Sequence, residues 1–474
     1  MSPFVTPSTA PTHREPTRRQ DRPSGERGRR VPRGRSLPGA PMSATARRGV
    51  FAEYFAGFDW DVSFLAFLYY CFAVITFYLP GADIAIVIAL VTLLLRAKTL
   101  RVHPYLLTLS LVVGWTSLTM LNSEFRSASW LAWWTFAKTA LVGVVSFLVI
   151  RTRTHLKIAL AFLVGCFFFF PLRGAFFNYF GGYTLSGRVL WNHTYGNPNE
   201  LALHGLMFLS AAMALLFLVK NSLTRLGILT FAPLCLLLIL FTQSRGTFLA
   251  AVAAGFVGFV GQRIRLRPLL TVVVVAGIAA WFAPSAVWAR MGGLRNVSIE
   301  GGMKGVDEGN SAEQRFLIAK IAAGVAESHP LLGVGIGAYP QANSLMAAKL
   351  GSKFAFGGGA RDAHNTYLLL AAELGVPGLI AFGVMILSAI VIPRFRARSL
   401  GPEDRQAVRM MRLGLLGFLV AGVFGSFAYS NVLYIVLGLV AAAPAALSMS
   451  AEQSRSRGPA RRGMPSSLPA LTGA

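Results

Sequence analysis

The sequence predicts an all-α integral membrane protein with about twelve transmembrane helices and one large external loop between helices 9 and 10. Three observations carry that expectation. Of the 474 residues, 54% are hydrophobic and only 14% charged, a balance too apolar for an ordinary soluble protein. The apolar runs are long enough to supply the ~20 residues a membrane helix needs, and far longer than the ~10-residue alternating segments of a β-barrel. Lys and Arg gather in alternate inter-helix segments, as the positive-inside rule requires.

Residues 1–49 carry eleven arginines among Pro, Ser, Gly and Thr. With almost no large apolar side chain to bury, this stretch is expected to be a disordered basic cytoplasmic tail. Met42 serves as well as Met1 as an initiator, so the start stays open, and neither leads into a cleavable signal. Helices 1–9 are predicted within residues 50–284, at 63–80, 82–95, 105–121, 130–150, 155–177, 198–219, 224–242, 246–262 and 268–284. Residues 285–365 form the external loop. Helices 10–12 fill 366–449, at 366–392, 410–428 and 431–449, and 450–474 is a second disordered basic tail.

With the N-terminus in the cytoplasm, 32 of the 45 Lys and Arg residues fall on the inner side. That placement accounts for the net charge of +26 and makes nucleic acid unnecessary as a partner. Trp130, Trp133 and Trp134 then mark the outer end of the fourth span as an interfacial belt. Cys71, Cys166 and Cys235 all lie in apolar runs, with neither a metal-ligand spacing nor a disulfide pattern. In the loop, "SAEQRFLIAKIAAGVAES" opens with Ser311 and Gln314 as a capping box. Its Ile318, Ile321, Ala322 and Val325 recur at helical spacing before a stop at Ser328-His329-Pro330, which predicts an amphipathic helix over the outer face.

Three polar clusters reach the outer side: "GRVLWNHTYGNPNELALHG", "FTQSRGTFLA" and "RDAHNTYLLL". Arg188 and Arg245 oppose the charge bias there, although a lone arginine also serves as an interfacial anchor. Asp362 or His364 satisfies free N–H groups if that stretch is only a helix start, and Asn197 and Asn199 around Pro198 also fit a turn. Lys138 and the Glu200/His204 pair at i, i+4 are polar groups inside spans, where such groups face a cavity or the bundle interior. Asp61 reads as a helix cap beside Asp59, and "GVGIGAYP" lacks the spacing of a dinucleotide site and reads as a turn. Outward arginines with a histidine suit a substrate with a diphosphate leaving group. The guanidinium fork binds phosphate oxygens bidentately, and the histidine takes a proton from an attacking hydroxyl.

"GR" followed by "GNPNELA", then "TQSRG", "HPLLGVGIGAY" and "DAHNTYLLLAAELGVPGL", in this order over residues 185–380, resemble the O-antigen ligase family and its polymerase relatives. The resemblance implies glycosyl transfer without metal or other cofactor. The donor is a glycan on undecaprenyl diphosphate, and the site is the periplasmic face of a bacterial inner membrane, with both termini cytoplasmic. It implies diphosphate binding by Arg188 and Arg245, with Arg315 as a further arginine, and catalysis by His364; beside the resemblance, Asn199, Asn365, Lys138 and Glu200 are read as supporting residues. The acceptor stays open among lipid A–core, another glycan, a lipid and a protein hydroxyl. Ligase, polymerase and, in another class, a lipid or polysaccharide transporter remain alternatives. A transporter would set its charges along a path through the bilayer, whereas these gather at one surface.

Because the basic tail holds neither a core nor a motif tied to the outer site, deletion of residues 2–41 is expected to leave function intact. Complementation by a truncated chain that inserts at normal levels checks it.

Overall fold

The computed structural model describes residues 61–96, 103–191, 193–259, 311–351 and 361–456, with four isolated positions between 260 and 310. The expected 1–49 tail, Asp59, all but isolated positions of the ninth span, the first part of the loop and the tail beyond residue 456 lie outside the described residues. The described residues belong to one compact unit, 49–474. They are helical throughout, apart from isolated bridges at Leu185 with Arg188 and Trp191 with Tyr195.

The first helices begin where sequence chemistry puts them. α1 (Val62–Thr76) is capped by Asp61, which accepts from Ser63 N at 3.0 Å, as the cap reading expected. α2 (Ala82–Arg96) returns to place Arg96 Nη1 2.7 Å from Asp61 Oδ1. α3 (Pro104–Leu121) starts on a proline, whose missing N–H is no loss at that position. α4 (Arg126–Val149) begins beside the tryptophans; Trp130 and Trp134 are exposed, and Trp133 Nε1 donates to Ser117 Oγ at 2.9 Å. α5 (Arg153–Phe167) runs into a π-helical turn, Phe168–Leu172, and then α6 (Arg173–Phe180). Pro171 sits inside that turn, and the wider turn accommodates a residue that has no N–H to give.

α7 (Pro198–Leu218) is capped by Asn197, and α8 (Ser222–Phe241) by Asn221. α9 is Arg245–Phe259. In the loop, α10 (Ser311–Ser328) buries the predicted face of Ile318, Ile321, Ala322 and Val325, and stops at the expected place. α11 (Tyr339–Leu350) was not foreseen. α12 (Thr366–Arg396), α13 (Pro402–Ala421) and α14 (Asn431–Ser456) complete the bundle. α7 and α14 are its most enclosed helices, α7 packing on α13 and α8, and α14 on α4.

Seven described helices are long and apolar enough to cross a bilayer, namely α3, α4, α5 to α6, α7, α8, α12 and α14, with α1 and α9 as shorter apolar helices. The chain is therefore a polytopic membrane protein. One predicted span and the start of the second tail need correction. The eleventh, placed at 410–428, is a helix from Pro402 to Ala421 whose first turns carry Glu403, Asp404, Arg405 and Arg409, and residues 422–430 are a turn. The second tail, placed from 450, is helical through Ser456 as the end of α14.

The tenth span is also not one straight crossing. Its 31 residues would reach about 46 Å at ~1.5 Å per residue, longer than a ~30 Å bilayer core. Helical geometry is broken at Gly375 (φ 69°, ψ 179°), two residues before Pro377. Trp115 Nε1 donates to Leu374 O at 2.8 Å, and Val376 N donates to Pro330 O at 2.8 Å, so the groups released by the break are taken up by neighbours.

A Cβ at Gly375 would lie 2.2 Å from Leu331 O, in a backbone region that costs other residues roughly 1–3 kcal/mol. Gly375→Ala is therefore expected to lower the thermal unfolding midpoint of the purified protein and raise protease cutting in the 330–340 segment. Gly383→Ala, with open space at that position, serves as the control and leaves both unchanged.

Candidate functional site

The functional end of the bundle is assembled from segments nearly 240 residues apart in the chain. The stretch before α7 is pinned first. Trp191 Nε1 donates to Thr76 O at 3.1 Å, and Thr194 Oγ1 donates to Ile75 O at 3.0 Å. Ser186 (φ 51°) and Gly187 (φ 71°) then turn the chain so that Val189 N donates to Phe241 O at 3.2 Å. This puts Arg188 against the end of α8. Arg188 is 8% exposed, with Nε donating to Thr242 O at 2.8 Å and Nη2 to Asn199 Oδ1 at 2.7 Å. Two hydrogen bonds therefore fix the plane of the fork.

Arg245 opens α9 in the tight turn after α8, and is half-buried. The same turn is tied to the Arg188 segment by Gln243 Nε2, which donates to Gly187 O at 3.1 Å. Gly246 lets it press on the turn after α13, because a Cβ there would fall 2.4 Å from Phe424 Cβ. That second turn, residues 422–430, is also what the segment before α12 holds. Thr366 N donates to Gly422 O at 2.7 Å and Thr366 Oγ1 to Gly425 O at 2.6 Å, while Asn365 Nδ2 donates to Val423 O at 3.0 Å.

Asn365 is the cap of α12, its Oδ1 accepting from Tyr367 N and Leu368 N at 2.9 and 3.0 Å. The helix-start reading of the cluster thus falls to Asn365, which frees His364 from that duty. His364 adopts φ 49°, a conformation uncommon outside glycine. Its Nδ1 lies 3.4 Å from Asp362 Oδ2, and about a third of its side chain, 36%, is exposed. Burial depresses its pKa from 6.5, Asp362 pulls it upward, and the positive charges of Arg315 and Arg361 push it down again. Arg315 of α10 therefore acts on His364 through its field.

A cleft opens where these parts meet. Asn197, Asn199 and Glu200 from the start of α7 line one side, Asp362 and His364 another, and the turn from Gly425 to Ser430 closes it. The i, i+4 partner of Glu200 lies beneath: His204, 2% exposed, has Nε2 2.7 Å from Ser430 Oγ. Lys138 is not part of this gathering. Its Nζ is 2.8 Å from Asp83 Oδ2, so its charge is satisfied by an ion pair between α4 and α2 instead of facing the cleft.

The sequence reading missed Glu373 and the 425–430 turn. Glu373 is 2% exposed, accepts from Tyr429 OH at 2.8 Å, and its own carbonyl accepts from Gly335 N at 3.0 Å. It thereby ties the "GVGIGAYP" turn to α12 and to the cleft wall. An acidic residue in the middle of an apolar run, two residues before a Gly and four before a Pro, was the available signal. Among the described residues no three His, Cys, Asp or Glu side chains are grouped as metal ligands.

Residues 229–383 match the family model described as O-Antigen ligase, about a third of the chain. The match takes in Arg245, Arg315, His364 and the α12 break, while Arg188, Asn199 and Glu200 lie ahead of it and join the site by folding. No curated protein matches the chain. The chain is thus a polytopic membrane protein whose residues 229–383 match the O-Antigen ligase model, with these side chains gathered at one end of its bundle.

Proposed function

We propose that the chain transfers a glycan from undecaprenyl diphosphate to an acceptor hydroxyl at the periplasmic face of a bacterial inner membrane, as an O-antigen ligase, with His364 as the general base. The observation that carries this reading is the convergence of Arg188, the Arg245 turn and His364 on one end of the bundle, within and beside an O-antigen ligase domain. Joining of lipid-linked repeat units by a polymerase is the nearest alternative, and it uses the same chemistry.

In the proposed reaction the acceptor oxygen bonds to the anomeric carbon of the donor sugar as the bond from that carbon to phosphate breaks. The electron pair leaves with undecaprenyl diphosphate, and the acceptor proton passes to His364. With Nδ1 turned to Asp362, the tautomer protonated at Nδ1 leaves Nε2 as the base. Arg188 and Arg245, with Arg315 farther out, neutralise the negative charge that grows on the leaving diphosphate. Arg188 enters the reaction already oriented by Thr242 O and Asn199, so little ordering is left for the moment of transfer. Asn199 and Asn365 are positioning residues, one for Arg188 and one for the segment carrying His364.

Arg188→Lys and Arg245→Lys keep the charge but lose the planar fork, so each is expected to impair transfer markedly. His364→Ala is expected to lower turnover by on the order of 10²–10⁴-fold while binding of undecaprenyl diphosphate survives. Donor binding and transfer are measured separately, on variants that unfold at the wild-type temperature. Wild-type transfer by the lysine variants would remove the clamp, and normal turnover in His364→Ala would remove the base.

The proposed base works when neutral, so transfer falls as pH drops through its pKa. Because that pKa is depressed from 6.5, the acid limb of the kcat/KM profile is expected below 6.5. Asp362→Asn should move the limb lower still, and Arg361→Gln should move it up.

Orientation follows the basic residues: N- and C-termini inside, the 285–365 loop outside. A cysteine placed at Gly301 should react with an impermeant reagent in intact cells, and one at Gly401 should not.

A further inference from the structure

We propose that the cleft between the start of α7 and the Gly425–Ser430 turn is the acceptor subsite, and that Glu200 and Ser430 hold a carbohydrate acceptor there by neighbouring hydroxyls. The proposal rests on the glycan-transfer reading and names the substrate class that reading leaves open.

Among the described residues the cleft is lined by two carboxyl side chains, Glu200 and Asp362, by amides and by serines, with no Lys or Arg in the lining itself. That set of acceptors suits the hydroxyls of a neutral polyol.

Glu200 is half-buried at the first turn of α7, and its carboxylate makes no hydrogen bond or ion pair among the described residues. Its two oxygens, short of donors, match two adjacent hydroxyls of a sugar ring, each of which donates one hydrogen bond.

Ser430 supplies the complementary group. His204 Nε2 lies 2.7 Å from Ser430 Oγ, and His204 Nδ1 is buried without a partner. A buried N–H left unpaired costs more than a lone pair, so the proton belongs on Nε2, which donates to Ser430. The Ser430 hydroxyl is then turned outward as a donor to the cleft. Ser426 Oγ, also in the lining, is a further buried oxygen with no partner. A serine or threonine of a protein acceptor brings one hydroxyl and leaves most of these groups unsatisfied; a sugar brings several.

The test uses the full chain in lipid nanodiscs. The probes are oligosaccharides released by mild acid from the envelope of cells that make the protein, a Ser/Thr peptide, and undecaprenyl diphosphate. Glu200→Gln is expected to weaken oligosaccharide binding at least about tenfold, as loss of a charge-assisted hydrogen bond implies. Affinity for undecaprenyl diphosphate is expected to stay unchanged. In transfer assays the acceptor KM rises more than kcat falls, Ser430→Ala gives a smaller rise, and Glu200→Asp recovers part of the loss. Unchanged oligosaccharide binding in a Glu200→Gln protein that unfolds normally overturns the proposal. So does a parallel loss of undecaprenyl diphosphate affinity, a wild type that binds no oligosaccharide, or one that binds the peptide instead. If the oligosaccharide binds through Glu200 yet nothing is transferred, the subsite stands and the transfer reading falls.

Discussion

A helix broken within a membrane protein exposes backbone groups that lipid cannot satisfy, and α12 breaks at Gly375. This end of the bundle is organised around meeting that demand. Trp115 takes the Leu374 carbonyl, Pro330 O takes the Val376 N–H, and the carbonyls of Ala372 and Glu373 accept from Val334 and Gly335 at 2.9 and 3.0 Å. The last three of these bonds also fix the loop after α10. Satisfying the break and docking the loop are one event, so the first turns of α12 acquire a rigid floor.

From that floor the site is built by backbone acceptors more than by side-chain pairs. The carbonyls of Gly422, Val423 and Gly425 receive Thr366 and Asn365, and the carbonyls of Thr242 and Gly187 receive Arg188 and Gln243. Carbonyls at helix ends have no partner within their own helix. Here those ends supply the fixed points against which functional side chains are set. An arginine 8% exposed is expensive to leave unpaired, and the two bonds it makes are what allow it to stay charged beside the cleft.

The parts of this arrangement legible in the sequence are those governed by local rules. Asp61 and Asn197 are caps because short polar side chains precede apolar runs, and α10 buries the face its spacing defines. Asn199, Glu200 and His364 meet in the cleft, a convergence that the sequence left open. What the sequence hid depends on partners distant in the chain. Lys138 looked like a cavity residue because hydropathy cannot show that Asp83 lies 2.8 Å away. α12 looked like a single span because averaging over its apolar residues conceals one glycine at φ 69°. Ser430 and Ser426 carry no motif at all, and only the approach of the turn before α14 to α7 gives Ser430 its histidine.

The site is also divided by charge, and the division follows from the fold. Arg188 and Arg245 sit where α8 ends and α9 begins, whereas Glu200, Asp362 and Ser430 face the space enclosed by α7, α12 and α14. Asn199 stands on the boundary, accepting from Arg188 with one atom while its residue lines the cleft. His364 reaches the same boundary from α12, under the opposing fields of Asp362 and of Arg315 and Arg361. In a transfer reaction the bond that breaks leaves negative charge behind, and the bond that forms begins as a neutral hydroxyl. Those two ends need opposite surroundings within a few ångströms. In the proposed reaction the arginines beside α8 and α9 serve the first end and the carboxyl groups beside α7 and α12 the second, with His364 between them as the proposed proton acceptor.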